Sequence, residues 1–135
     1  MKAVRNLFWM LLLATAAVWA ADESALSVAG ATTIDTAQAK ALFDKRVVFV
    51  DLRKESEYDA GRIPGAVNMF INTKFSQEAL AAKVKKDEPV VFYCNGPKCP
   101  HSAKACEMSV GWGYTKVNYY RDGLPGWKAA GNPVE

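Results

Sequence analysis

Short apolar runs alternate along this chain with segments of helical character, and few fold classes accommodate that alternation. Strands are predicted at residues 47–50, 66–69, 90–93 and 117–120. Helices are predicted after the capping residues Asp35 and Ser76, over residues 55–60 and 101–112, and around Trp127. Strands that alternate with helices form a parallel sheet with helices on both faces. The sequence therefore predicts an α/β fold, and 135 residues suffice for one such domain.

The amino-terminal segment has the layout of a secretory signal. Lys2 and Arg5 precede an apolar run at 7–17, and small residues lead to an expected cut after Ala20. We therefore predict a signal peptide over residues 1–20 and export to the periplasm. The alternative is a membrane anchor, but the apolar run is shorter than the ~20 residues that span a bilayer. No membrane association is expected after cleavage.

The segment behind the signal differs from the rest of the chain. Residues 21–32 are small and polar without an apolar period, which predicts a flexible leader before a domain over residues 33–135. Removing residues 1–20 takes away two of the 17 basic residues and none of the 14 acidic ones, so the remaining chain carries a formal net charge of +1. No dense Lys/Arg stripe remains to neutralise a phosphate backbone, so nucleic acid is not an expected partner.

Three cysteines lie in the predicted domain, Cys94, Cys99 and Cys106, and an odd number leaves at least one thiol unpaired in an oxidising compartment. Cys94 follows the predicted strand 90–93 and precedes the predicted helix 101–112. Ligands bind beyond the carboxyl ends of strands in such sheets, and a helix N-terminus favours a thiolate. Cys94 is therefore the candidate nucleophile, against the alternative of a small core residue. Cys106 is predicted to pack in the core.

The loop after Cys94 has the composition of an anion-binding loop. If it curls round the sulfur, its backbone N–H groups form a nest and Lys98 adds a cation. Gly96 permits the unusual backbone that such a curl needs. This cradle would stabilise a thiolate, a persulfide or the oxyanion of thiosulfate. Pro97 and Pro100 have no N–H group, so the loop offers fewer donors than one without prolines.

Three motifs together resemble a known family. DLR at 51–53 with EYDAGRIPGAVN at 57–68 resembles the first characteristic stretch of rhodanese-like domains. DGLPGW at 122–127 with GNPV at 131–134 resembles the closing pattern of the same family. Cys94 then falls where the family keeps its sulfur-accepting cysteine. The motifs follow the family order and span nearly the whole predicted domain.

The resemblance implies a five-stranded parallel sheet flanked by helices on both faces, and a sulfurtransferase activity. Cys94 would attack a donor, hold the sulfane sulfur as a persulfide and pass it to a thiophilic acceptor. No cofactor is expected beyond this covalent persulfide. The expected partners are a small donor such as thiosulfate or a small persulfide, a thiol or cyanide acceptor, and optionally a protein sulfur acceptor. The donor-binding loop of the family maps onto Asn95, Gly96, Pro97, Lys98 and Cys99.

Two departures from the family pattern concern basic residues. Arg62 stands where the family commonly has His, a rim position at which it is an accessory candidate. The loop contains no Arg, which related phosphatases and arsenate reductases need to hold an oxyanion through two hydrogen bonds, and Lys98 is a point charge only. Phosphatase activity is therefore not expected. Arg53 is a second accessory candidate, expected chiefly to support structure through an ion pair with Asp51.

The third departure is Cys99. The CNGPKC loop resembles a subgroup of exported rhodanese-like proteins, although those carry Trp-Arg-Ser where this chain has Pro100-His101-Ser102. Cys99 either resolves a Cys94 persulfide by forming a disulfide, which releases sulfide or protects the thiol, or is a spectator thiol. His101 either assists Cys94 or, as the favoured interpretation, is a solvated polar residue. A metal site of Cys94, Cys99 and His101 is conceivable but not expected, because it supplies at most three ligands and the spacing matches no closed zinc pattern.

Three functions remain open at this point. The first is a sulfurtransferase that acts through Cys94. The second is a redox protein in which Cys94 and Cys99 cycle between dithiol and disulfide without moving sulfur. The third is a non-catalytic module that carries or senses sulfur for a partner.

Overall fold

A computed structural model describes residues 23–135, so the predicted signal peptide lies outside the described residues. Strands and helices alternate throughout this part of the chain. None of its helices has the length and hydrophobicity needed to cross a membrane. The elements are β1 (Ala31–Thr33), α1 (Thr36–Asp44), β2 (Val48–Asp51), α2 (Glu55–Ala60), β3 (Val67–Asn68), α3 (Gln77–Ala81), β4 (Val90–Tyr93), α4 (His101–Gly111), β5 (Val117–Tyr120) and α5 (Gly123–Ala129).

The sheet has five strands in the order β1-β5-β4-β2-β3. Every neighbouring pair is parallel, so the predicted α/β fold with a five-stranded parallel sheet is confirmed. β4 lies at the centre, where Tyr93 is level with Asp51 of β2 and with Tyr120 of β5. The carboxyl ends of the three central strands therefore meet at one edge, and Cys94 follows directly on the middle one.

Short polar side chains begin two of the helices, as predicted. The Asp35 carboxylate accepts a hydrogen bond from the Gln38 N–H while the Gln38 side chain accepts one from the Asp35 N–H, which makes a capping box for α1. Ser76 accepts from the Ala79 N–H at the start of α3. These caps satisfy N–H groups that the first turn of a helix leaves without partners.

The hydrophobic core lies on both faces of the sheet. Side chains alternate along a strand, so Val90 and Phe92 of β4 pack on one face and Val91 and Tyr93 on the other. The first face is covered by side chains of α3 and α4, including Leu80 and Cys106. The second face is covered by side chains of α1 and α5, including Ala39 and Trp127. The core positions predicted for Cys106 and Trp127 are confirmed, because both side chains are fully buried.

Residues 23–32, the described part of the predicted leader over residues 21–32, contact the rest of the domain. Ser24 is 4% exposed, and its N–H donates to the Pro97 carbonyl over 2.6 Å. β1 (Ala31–Thr33) pairs with β5 along the edge of the sheet. This strand is too short and too polar to show a pattern by itself. Its order comes from hydrogen bonds to β5, which are tertiary contacts that local sequence does not encode.

Candidate active site

Cys94 is fixed at the carboxyl end of the central strand. The residue is 1% exposed, and its carbonyl oxygen accepts a hydrogen bond from the Leu124 N–H over 3.1 Å. One residue earlier, the Tyr93 carbonyl accepts from the Leu52 N–H, also over 3.1 Å. The backbone on each side of the sulfur is therefore held by a neighbouring element, which fixes the direction of its side chain.

The loop that follows Cys94 is tied down at several points. The Asn95 side chain donates to the Glu57 carboxylate of α2. The Cys99 N–H donates to the Gly96 carbonyl over 3.0 Å, which closes a tight turn, and the Pro97 carbonyl binds the leader as described above. Gly96 has φ 108°, a conformation that favours glycine. The predicted turn at Gly96 is thus present.

Cys94 and Cys99 are joined by a disulfide, with their Cα atoms 6.3 Å apart. This separation lies inside the ~7 Å within which two cysteines can be bridged without moving the backbone. The spectator interpretation of Cys99 is therefore wrong, because its sulfur meets the sulfur of Cys94. Cys106 is the remaining free thiol, and burial raises its pKa well above the ordinary value. It is not a nucleophile in the folded protein.

His101 begins α4 and lies beside the sulfur. Its Nδ1 atom is 3.9 Å from Cys94 Sγ, and the residue is only partly exposed. Burial lowers the pKa of His101; Lys104 and Lys54 act in the same direction, and Glu57 opposes them. The imidazole is thus partly exposed and also lies against the sulfur, so its role in assisting Cys94 stays a prediction. The lowered pKa favours the uncharged form of the imidazole beside the sulfur.

Cys94, Cys99 and His101 also form a cluster of metal-ligand type in the described part of the chain. Their ligand atoms lie within 4.8 Å of one another. The sequence offered these three residues as a conceivable metal site but did not favour it, because the turn that brings His101 back to the sulfur is not determined by spacing. In the disulfide form the two sulfur atoms are bonded to each other, so the cluster is able to hold an ion only after reduction.

The two arginine candidates have structural contacts. Arg53 is buried; its guanidinium donates to the Asp51 carboxylate over 2.6 Å and to the Gly61 carbonyl over 2.7 Å. Burial by itself would lower the pKa of Arg53, but Asp51 raises it overall. This confirms the ion pair expected from the sequence. Arg62 lies over the Tyr58 ring at 4.5 Å, and its Nε atom is 3.6 Å from the side-chain carboxylate of Glu135. Lys98, the basic residue of the loop, is exposed.

Gly123 is a site residue that the sequence did not single out. It begins α5 with φ 62°, and a Cβ placed there would lie 2.3 Å from the Cys94 carbonyl oxygen and 2.7 Å from the Gly96 nitrogen. Only glycine allows α5 to approach the cysteine loop so closely. The DGLPGW motif contains this glycine in an Asp-Gly pair after the last strand, but the motif by itself does not show that α5 approaches the cysteine loop.

Two surface depressions differ in their relation to Cys94. A shallow depression of about 210 Å³ adjoins the cysteine loop. Two of its lining residues are hydrogen-bonded to that loop, Glu57 to the Asn95 side chain and the Leu124 N–H to the Cys94 carbonyl. A larger one of about 480 Å³ lies at the amino-terminal ends of β2 and β3. That is the opposite end of the sheet from Cys94 and from the usual place of ligands in parallel sheets. We therefore place the candidate active site at the cysteine loop.

Fold and site together define a class: α/β domains with a cysteine at the carboxyl end of a central parallel strand, followed by a short loop and a helix N-terminus. A sequence model described as the rhodanese-like domain matches residues 35–130. The chain therefore belongs to the rhodanese-like domain family, as its motifs indicated.

Individual proteins are similar to parts of this chain. The chain is 35% identical over 89 residues to the HTH-type transcriptional regulator Rv0324 of Mycobacterium tuberculosis, covering 66% of this chain and 38% of the regulator. The chain thus spans less than half the length of that relative. The human single-domain sulfurtransferase TSTD1 is 25% identical with a TM-score of 0.62, covering 73% of this chain and 96% of the human chain. The Rhodanese_3-like domain of the Anabaena protein Alr3790 is 27% identical with a TM-score of 0.59, covering 66% and 98%.

Proposed function

We propose that the protein is a sulfurtransferase that carries sulfane sulfur on Cys94. The observation that carries this proposal is the position of Cys94 Sγ, at the carboxyl end of β4 and 3.9 Å from His101 Nδ1 in the first turn of α4. The first N–H groups of a helix have no partners within it, and this end of the helix is partially positive. An anionic sulfur is stabilised there, whether as a thiolate or as a persulfide.

The proposed reaction has two displacements. The reduced Cys94 thiolate attacks the outer sulfur of thiosulfate, the sulfur–sulfur bond of the donor breaks, and sulfite leaves with the electron pair. A thiol or cyanide acceptor then attacks the outer sulfur of the persulfide, and Cys94 leaves as the thiolate. A small persulfide can replace thiosulfate as donor, with its thiolate as the leaving group. No cofactor takes part, since the sulfur stays covalently bound between the two steps.

The surroundings of Cys94 suit this chemistry in two ways. Leu124 and Gly123 hold the backbone of the cysteine while leaving its sulfur directed towards α4. His101 Nδ1 lies 3.9 Å from Cys94 Sγ, where the imidazole can pass a proton to or from the sulfur. The disulfide must be reduced before the first displacement, because a thiolate is the attacking group.

Intact-mass measurement tests the proposal. Protein is reduced with dithiothreitol, desalted without oxygen and incubated with thiosulfate. We expect covalent uptake of one sulfur atom by Cys99→Ser, in which the second cysteine of the loop is absent, and no uptake by Cys94→Ser. The double variant Cys99→Ser/Cys106→Ser is the matched control and should also gain one sulfur atom, since the Cys106 thiol is buried. Uptake that persists in Cys94→Ser, or no uptake by any of the proteins, would exclude the proposed function.

A second candidate function is a thiol-disulfide redox protein, and the Cys94–Cys99 disulfide favours it. Such a protein would lose two hydrogen atoms under mild oxidant and take up no sulfur from thiosulfate. A carrier module would instead load sulfur normally but release it negligibly to thiols and cyanide. The mass measurement separates the redox protein from the other two, and turnover with small acceptors separates the enzyme from the carrier.

We also propose that the protein works outside the cytoplasm, in the periplasm. The supports are the signal-like sequence at residues 1–20 and a disulfide of the kind that persists in oxidising compartments. Amino-terminal sequencing of protein recovered from a periplasmic fraction should begin just after Ala20. Recovery of the intact chain from the cytoplasm alone would exclude export.

A further inference from the structure

We propose that Cys99 resolves the Cys94 persulfide and releases its outer sulfur as hydrosulfide, and that a dithiol reductant then regenerates the site by attacking Cys99. The inference rests on the proposed function, since it begins from the Cys94 persulfide. It adds a second activity, the two-electron reduction of sulfane sulfur to sulfide. It also names a class of partner, a small or protein dithiol.

The geometry of the disulfide supports the first half of this proposal. Cys99 reaches Cys94 Sγ without displacement of the loop backbone, since the Cα atoms are 6.3 Å apart and the turn at Gly96 is closed. In a persulfide, Sγ of Cys94 is the inner of the two sulfur atoms. Cys99 therefore contacts the inner sulfur. An attack on this inner sulfur expels the outer sulfur, whereas an attack on the outer sulfur would transfer it to the attacking thiol.

The resolving step balances with groups in the site. The Cys99 thiolate attacks Cys94 Sγ, the bond between Sγ and the outer sulfur breaks, and the outer sulfur leaves with the electron pair as hydrosulfide. The two cysteines are oxidised to the disulfide as the sulfane sulfur is reduced by two electrons. One proton is taken up by the leaving sulfur, and His101, 3.9 Å from Cys94 Sγ, lies where it can relay that proton.

The unequal burial of the two cysteines supports the second half. Cys94 is 1% exposed, whereas Cys99 is partly exposed and lies between the exposed residues Lys98 and Pro100. An incoming thiolate therefore reaches Cys99 Sγ and forms a mixed disulfide there. Cys94 is the leaving group, and it leaves as a thiolate at the N-terminus of α4, which favours this direction because a stabilised thiolate leaves faster.

The mixed disulfide explains why the partner is a dithiol. After the first exchange the reductant remains bonded to Cys99, and a second thiol must release it. In a dithiol that second thiol is part of the same molecule, so its effective concentration is high. The products are the reduced Cys94 and Cys99 pair and an oxidised, disulfide-bonded partner. Each turnover thus consumes one sulfane sulfur and one dithiol.

A single-turnover experiment tests the resolving step. Reduced, desalted wild-type protein and Cys99→Ser receive one equivalent of thiosulfate without added acceptor, in the absence of oxygen. We expect wild type to release one sulfide per chain and to end two hydrogen atoms lighter than the reduced protein. Cys99→Ser should keep the added sulfur and release no sulfide, and Cys106→Ser should behave as wild type.

The outcomes separate the two proposals. Stable persulfide in wild type, equal to that in Cys99→Ser, would overturn the resolving role and leave the sulfurtransferase intact. No sulfur uptake by either protein would overturn the sulfurtransferase and this inference with it.

Trapping identifies the sulfur that the reductant attacks. Disulfide-form protein is incubated with glutathione in the presence of iodoacetamide and digested with trypsin, which separates the two cysteines by cleaving after Lys98. Glutathione should be found on Cys99 and the alkyl group on Cys94. The reverse distribution would overturn the proposed entry at Cys99.

Discussion

At the scale of single residues, close approach of backbones shapes the site more than charge does. The buried guanidinium of Arg53 forms an ion pair with Asp51, and the Lys98 side chain is exposed to solvent. The position of Cys94 is instead constrained by the close approach of Gly123, where a Cβ would collide with the Cys94 carbonyl oxygen. The geometry that aims Cys94 at α4 therefore depends on a residue with no side chain.

Replacement of Gly123 by alanine tests this constraint. Gly123 and Gly131 both have a positive φ, 62° and 75°, so alanine strains the backbone at each. At Gly123 the new Cβ also meets the Cys94 carbonyl oxygen at 2.3 Å, whereas at Gly131 no atom lies within 4 Å. We expect Gly123→Ala to lower the free energy of unfolding in urea by about 2–4 kcal/mol and to impair sulfur loading.

Gly131→Ala is the matched control for that substitution. It should cost about 1 kcal/mol, the strain alone, and leave sulfur loading unchanged. Equal losses of stability and of loading in the two variants would show that the contact with Cys94 has no special effect.

His101 gives the folded protein a specific dependence on pH. Because burial lowers its pKa from the ordinary 6.5, the unfolded chain binds a proton more readily than the folded one. The stability it contributes is fully present above pH 6.5 and is lost as the pH falls below that value. In the disulfide form, the fall in urea midpoint from pH 7.5 to pH 5 should therefore be smaller for His101→Gln than for wild type. An equal fall in both would contradict the burial of a neutral imidazole.

At the scale of elements, the strands that the sequence predicted best are the buried ones. The apolar runs at 90–93 and 117–120 became β4 and β5 with unchanged bounds, because β-branched and aromatic side chains between turns and charges specify a central strand. β1 was missed because three residues at the sheet edge carry too little pattern. The sequence offered a contact of His101 with Cys94 only as the less favoured interpretation for a related reason, since it depends on how α4 turns back onto the loop.

The leader is an element in its own right, and Ser24 is its anchor. Its hydroxyl is hydrogen-bonded to the Tyr119 hydroxyl of β5, and its carbonyl accepts from the Arg121 side chain over 3.1 Å. Ser24→Ala should lower the free energy of unfolding by about 1 kcal/mol, the usual effect of losing one buried hydrogen bond. Urea denaturation measures this. Ser27→Ala, at an exposed position of the same segment, should change stability by less than about 0.5 kcal/mol. A leader detached in solution would make both substitutions neutral.

At the scale of the whole molecule, the reactive cysteines are separate from what holds the fold together. The five-stranded sheet is covered on both faces by apolar side chains, many of them fully buried, including Trp127 and Phe92. The sequence predicted this two-sided core from alternation alone. It left open whether Cys94 and Cys99 are bonded, because the distance between two loop residues is set by turns that spacing does not determine.

Reduction of the disulfide should therefore lower stability without unfolding the protein. The bond closes a loop between residues only five positions apart, and cross-linking so short a loop restricts the unfolded chain by about 2 kcal/mol. Urea denaturation with and without dithiothreitol should show a difference of this size, while the far-ultraviolet circular dichroism of the native protein stays the same. Cys94→Ser cannot form this disulfide, so its free energy of unfolding should be the same with and without dithiothreitol. Loss of secondary structure on reduction would mean that the disulfide, rather than the core, holds the domain together. The proposed reaction, which needs the disulfide to be reduced in every turnover, would then be incompatible with a stable fold.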